Sequence, residues 1–196
     1  MERLAGFRIS ADHYQYFVYD SEAEPCPEFF YEEPDGARET GVGSYEQGYV
    51  SDGLSICVCT SAHLNTHWIE VFRSDAQPDI GKSERIIVLP LEISSGRACF
   101  TQLVSFEPDC TVHLSPGRYD VYVMAFSLDR DRLNDPTKPS DWLEHPLTDE
   151  ELAARTDYEH YQVVFVKSDV EAPAYGVIHG APTMAEAQRA AGQREG

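Results

Sequence analysis

The sequence predicts an all-β, mainly antiparallel protein, a β-sandwich or open barrel of seven to nine strands. Apolar residues recur at period two in short runs, turn dipeptides separate the runs, and helical periodicity is confined to two short stretches. The centre of this pattern is Glu46–Arg73. Leu54, Ile56, Val58 and Thr60 lie two apart, and so do Trp68, Glu70 and Phe72. His63, Leu64 and Asn65 separate two runs of strand length, which predicts an antiparallel hairpin entered through Asp52-Gly53. Trp68, Ile69, Val71 and Phe72 are apolar on both faces, as a central strand in a packed sheet requires.

The other elements follow in chain order. Phe7–Tyr19 alternates as one strand with a bend near Ala11-Asp12. Asp20–Gln47 contains Pro25, Pro27 and Pro34 without periodicity and is expected to be a long loop. Arg85–Ile93 is a strand, in which Pro90 implies an edge or a bulge. Ala98–Phe106 and Cys110–Leu114 are further strands. Ser115-Pro116-Gly117 then turns the chain into Arg118–Leu128, with Tyr119, Val121, Val123 and Ala125 on one face and Tyr122, Met124 and Phe126 on the other. Thr148 followed by Glu151 marks a helix N-terminus, and Tyr161–Lys167 returns to strand. Ser168–Pro182 reads as irregular and Met184–Ala191 as a short helix. The expected organisation is one β domain over 1–168, carrying an acidic loop at 20–47 and an acidic insertion at 129–159, with a C-terminal extension at 169–196.

Charge is the unusual quantity. The 196 residues carry 34 acids against 15 bases, a formal −19. A phosphate backbone would be repelled, so direct nucleic-acid binding is not expected. The balance favours a basic partner, a cation, or simple solubility. No apolar run approaches bilayer length and no secretory segment opens the chain, so the expected compartment is the cytoplasm, without membrane insertion. Five cysteines, an odd count, fit free thiols in a reducing environment.

Between Asp20 and Glu46, nine acids face one base, Arg38, leaving −8; between Asp129 and Glu159, ten acids and four bases leave −6. The first segment interleaves its carboxylates with Phe29, Phe30 and Tyr31, and the second contains Trp142. Carboxylates around aromatic anchors form a protein-binding surface, with charge steering the encounter and rings supplying burial. In the competing reading the same rings fold back and close one end of the core. The candidate partner-binding residues are Glu22, Glu24, Glu28, Phe29, Phe30, Tyr31, Glu32, Glu33 and Asp35 in the first segment, and Asp129, Asp131, Asp135, Asp141, Trp142 and Glu144 in the second.

Metal and catalytic signals are weak. Cys57, Cys59, His63 and His67 have zinc-compatible atoms, but the cysteines stand one residue apart, not at finger spacing. Asp129, Asp131 and Asp135 invite calcium, yet Leu133 and Asn134 occupy the positions where an EF-hand needs an oxygen ligand and a glycine. Gly-x-Ser-x-Gly, His-Glu-x-x-His and phosphate-loop motifs are missing. The expectation is a non-enzymatic protein without cofactor or catalytic residues. The alternative is a β-sandwich that binds a ligand or calcium.

Four ordered motifs carry a family resemblance. They are Ile9-Ser10…His13-Tyr14-Gln15-Tyr16-Phe17, Gly48-Tyr49…Gly53-Leu54-Ser55, Val88-Leu89-Pro90-Leu91-Glu92-Ile93, and Leu114…Pro116-Gly117-Arg118-Tyr119-Asp120-Val121. In this order, over about residues 7–126, they resemble the competence protein J (ComJ) family, inhibitors of a bacterial DNA-entry nuclease. The resemblance implies a small acidic protein that binds and blocks a nuclease, and it suits an immunity protein acting on a toxin. The two acidic segments and the tail after Ser168 depart from the family pattern, which leaves the identity of the partner open.

Overall fold

The computed structural model describes residues 1–11, 15–23, 25, 42–44, 48–60, 65–103, 105, 107–128, 147–168 and 176–180. Among them are twelve strands in two six-stranded sheets and one short helix. Sheet A contains β1 (Glu2–Ala11), β6 (Asn65–Ser74), β7 (Arg85–Ile93), β10 (Gly117–Phe126), β11 (His160–Lys167) and β12 (Gly176–Gly180), in the order β1-β6-β11-β10-β7-β12. Sheet B contains β2 (Gln15–Asp20), β3 (Val42–Ser44), β4 (Tyr49–Ser51), β5 (Ser55–Cys59), β8 (Arg97–Gln102) and β9 (Cys110–His113), in the order β3-β4-β5-β2-β8-β9. Every pairing is antiparallel except that of β11 with β6.

Alternation along the strands builds the core. Ile69 and Val71 of β6, Ile87, Leu89 and Leu91 of β7, and Tyr119, Val121 and Val123 of β10 face Tyr16, Val18, Ile56, Val58 and Phe100 of sheet B. Each such side chain, fully buried, contributes about 1.5–3 kcal/mol of apolar transfer. The second face of β10 is apolar as predicted: Tyr122 and Met124 join Ile86, Val88, Val164 and Val166 in a separate buried cluster on the outside of sheet A, with Phe126 packed against it. Phe17, Tyr19, Cys57 and Cys99 form a similar buried cluster outside sheet B.

The central hairpin is a correction. β5 and β6 are both strands, but they belong to opposite sheets: β5 pairs with β2 and β4, β6 with β1 and β11. Period two decides which face of a strand is buried; it carries no information about which strand lies beside it. The central position of the second run, between β1 and β11, agrees with its two apolar faces. The N-terminal strand is likewise two strands, β1 and β2, one in each sheet. β3 falls inside the expected loop 20–47, and β12 inside the stretch read as irregular. These short or split strands account for twelve in place of seven to nine.

Other expectations hold. Among the described residues β12 covers β7 only as far as Val88, and Pro90 has a strand neighbour on the β10 side alone. The helix α1 (Asp149–Ala154) begins at a full capping box between Thr148 and Glu151. Leu152 anchors it against Trp68, Tyr158 and Leu147. The segment 184–191, read as helix, lies outside the described residues. Among the described residues no helix is long and apolar enough to cross a membrane.

Candidate partner-binding site

Strand register separates the two acidic segments. Asp20, which leads into the first, ends β2 opposite Ala98; Val42, where description resumes, pairs with Ser51 and lies at the same end of the sandwich. Leu128, which leads into the second, follows Phe126, whose partner His160 starts β11 beside Trp68. Leu147, beyond that segment, packs on the same Trp68. The flanks of the two segments are therefore at opposite ends. At about 3.4 Å per residue the ends are roughly 17 Å apart along β2 and roughly 30 Å along β10.

The Asp20 end is built by short polar side chains. Asp20 is buried and accepts hydrogen bonds from Ser95 N–H at 2.9 Å, Ser95 Oγ–H at 2.9 Å and Glu22 N–H at 2.8 Å. Burial alone would raise this carboxyl, but the hydrogen bonds outweigh it and hold it below the ordinary carboxylate range. Asp52 accepts from Leu54 N–H at 2.9 Å and Ser55 N–H at 2.7 Å, closing a tight turn in which Gly53 takes φ +84°. Gly53 O then accepts from Glu92 N–H at 2.9 Å, joining the turn of sheet B to β7 of sheet A. Leu54 stands out at the tip, 52% exposed. A cleft of about 410 Å³ lies beside this end, lined by Tyr19, Ser21, Pro25, Arg97, Cys99 and Thr111 among others. Burial, then Cys99 and Asp109, push the Tyr19 phenol up to about 12, so it is a neutral donor there.

The opposite end contains a polar cluster that the sequence reading missed. Arg85 is 1% exposed and donates from Nη2 to Cys59 O at 2.6 Å, linking the sheets. Tyr161 Oη donates to the buried Glu159 carboxylate. His67 Nδ1 lies 3.1 Å from Glu159 O; a carbonyl only accepts, so this nitrogen carries the proton. Tyr16 packs edge-on against Tyr161, centroids 5.3 Å apart. Burial raises both phenols well above their ordinary range; Glu159 adds to the rise and Arg85 opposes it. Both are neutral in an enclosed cluster, Tyr161 hydrogen-bonded to Glu159 and Tyr16 Oη without a partner among the described residues, and the arrangement ties β2, β6, β7 and β11 together. The signal lay in an arginine heading the apolar run of β7 and in Glu159 next to the strand it precedes.

Of the fifteen candidate partner-binding residues, Glu22 is described and exposed; those from Glu24 to Asp35 and from Asp129 to Glu144 lie outside the described residues. The zinc-compatible set does not assemble where it is described. Cys57 and Cys59 are in sheet B and His67 in sheet A, while His63 lies outside the described residues. Burial raises the Cys57 thiol well above its ordinary value, with Cys59 adding to it, which disfavours the thiolate a metal needs. Among the described residues no three metal-ligating side chains converge.

No protein-family model and no curated protein matches this sequence. The structural comparison does find similar folds. The crystal structure of ComJ from Bacillus subtilis, an inhibitor of the DNA-degrading activity of NucA, superposes with a TM-score of 0.54 at 11% identity, covering 85% of this chain and 98% of that one. The fold is ComJ-like. A second structure, crocagin biosynthetic gene J, has a TM-score of 0.49 at 12% identity, covering 84% of this chain and 98% of that one. The ComJ-like likeness spans nearly the whole length of ComJ, so the sandwich as a unit is shared.

Proposed function

We propose that this chain is a non-enzymatic inhibitor or immunity protein that binds and blocks a basic enzyme, a nuclease or nuclease toxin, with its acidic segments acting as a nucleic-acid mimic. The observation that carries the reading is the combination of a ComJ-like sandwich with a formal charge of −19. A nuclease presents a positive groove to DNA, which bears about one negative charge per 1.7 Å of axis. Carboxylates at −8 in one segment compete for such a groove by charge and by bulk.

The test is inhibition of DNA cleavage by a nuclease encoded beside this gene, with the intact chain and with Glu28→Lys, Glu32→Lys, Glu33→Lys and Asp35→Lys combined. The intact chain should stop cleavage near equimolar ratio. The reversed chain should need on the order of 100-fold more, equivalent to about 2.7 kcal/mol. Equal potency of the two proteins removes the mimic mechanism, and uninhibited cleavage by the intact chain removes the inhibitor reading.

A further inference from the structure

On the outer face of sheet A a cleft of about 460 Å³ opens between β1 and α1. Arg3 to Gly6 line one side, Asp149 and Glu150 the other, and Trp68 of β6 completes the lining. Trp68 is 8% exposed, and its buried Nε1–H has no hydrogen-bond acceptor among the described residues. Such a donor is costly until an acceptor meets it. Glycine at position 6 is required by the same feature. A Cβ there would fall 2.9 Å from Trp68 Cζ2 and 2.3 Å from Arg3 Nη2, so any side chain would displace the indole edge or the guanidinium. The register of β1 on β6 also shifts between Arg3 and Ala5, the kind of irregularity that re-aims side chains beside binding sites.

The charges around the cleft are unequally engaged. Arg3 is bridged to Glu70 at 3.1 Å, and Asp149 to Arg8 at 2.6 Å. Glu150, exposed on α1, makes no ion pair among the described residues. The lining thus includes a tryptophan whose buried N–H lacks an acceptor among the described residues and a carboxylate that makes no ion pair among them.

We propose that this cleft docks a short basic peptide segment of a protein partner. A backbone carbonyl of the segment accepts from Trp68 Nε1–H, and a neighbouring lysine or arginine pairs with Glu150 and the outer side of Asp149. The half-exposed Arg3 side chain is the movable part of the wall that swings aside to admit the carbonyl. The charged side chains in the lining are Arg3 against Asp149 and Glu150, a balance that disfavours a phosphate group. The proposal rests on the reading of this chain as a binder of basic proteins, but on nothing about what that protein does.

The chain has two tryptophans, Trp68 and Trp142, so ¹⁵N-labelled protein shows two indole N–H resonances, assigned through bonds and checked with Trp142→Phe. The probe is the peptide acetyl-Gly-Lys-Gly-Arg-Gly-amide, titrated into the full chain. The Trp68 indole resonance should shift with saturation, Glu150→Lys should weaken the binding roughly tenfold, and the same peptide with glutamate at both basic positions should leave the resonance in place. A Trp68 resonance that does not move at millimolar peptide, or that moves equally in Glu150→Lys, overturns the proposal. Nuclease inhibition measured in the same samples separates the two readings: inhibition without peptide binding discards the cleft and retains the inhibitor.

Discussion

Asp20 shows how one side chain organises an end of the sandwich. Its carboxylate collects three donors from two loops at the position where the first acidic segment leaves the sheet. Replacing it with alanine leaves those donors without their acceptor, and Asp20→Ala should cost about 2 kcal/mol at neutral pH in urea unfolding. The carboxyl is held below its ordinary value in the folded chain. Its contribution is therefore complete above the unfolded value of about 3.9 and fades as pH falls through the lower folded value. The gap between wild type and Asp20→Ala should close in acid; a gap that stays constant down to about pH 2 would mean the charge is irrelevant. Little at this scale was legible beforehand. Asp52-Gly53 announced its turn, because a turn residue acts on its own backbone. Ser95 beside Asp20, Cys59 beside Arg85 and His67 beside Glu159 lie far off in the chain, and composition is blind to them.

At the scale of elements, local signals proved readable and non-local ones did not. The capping box of α1 is written in four consecutive residues and appears as expected. Thr148→Ala should destabilise the chain by about 1 kcal/mol, with the amide shifts of α1 and of Trp68 changing most and those of sheet B staying in place. Uniform changes across both sheets would place the helix in the core, not on its surface. The alternation in β10 correctly named both of its buried faces, because a strand covered on two sides must be apolar on both. The partnership of β5 with β6 failed for the opposite reason. The run that follows Cys59 crosses to the other sheet, and a short polar connection serves a crossing as well as a hairpin. β3 and β12, with three and five residues, are too short for periodicity to register.

For the molecule as a whole, the separation of the acidic flanks matters most. The described flanks of the two segments stand at opposite ends of the sandwich, roughly 17–30 Å apart along the strands. A single partner cleft should therefore feel one of them. Lysine reversal of Glu28, Glu32, Glu33 and Asp35, and separately of Asp129, Asp131 and Asp135, should give unequal results: the first set slows association by about tenfold or more in low salt, the second by less than about threefold. Equal losses would mean a partner that wraps both ends. The resemblance to ComJ was readable from four ordered motifs, and the sandwich bears out the likeness at the level of fold. The residues proposed to meet a partner were legible only as composition, since loops follow no repeating backbone pattern.

The position of β11 has a consequence for how the chain is made. It runs parallel to β6 and is inserted between β6 and β10, although it is synthesised after both. The complete sheet therefore cannot form until His160–Lys167 has been synthesised, and until then the facing edges of β6 and β10 lack the strand that joins them. Such late closure is slow and leaves those edges open to foreign strands in the meantime. An excess of negative charge keeps neighbouring copies apart during that interval, so acidity serves the birth of the fold whatever else it serves.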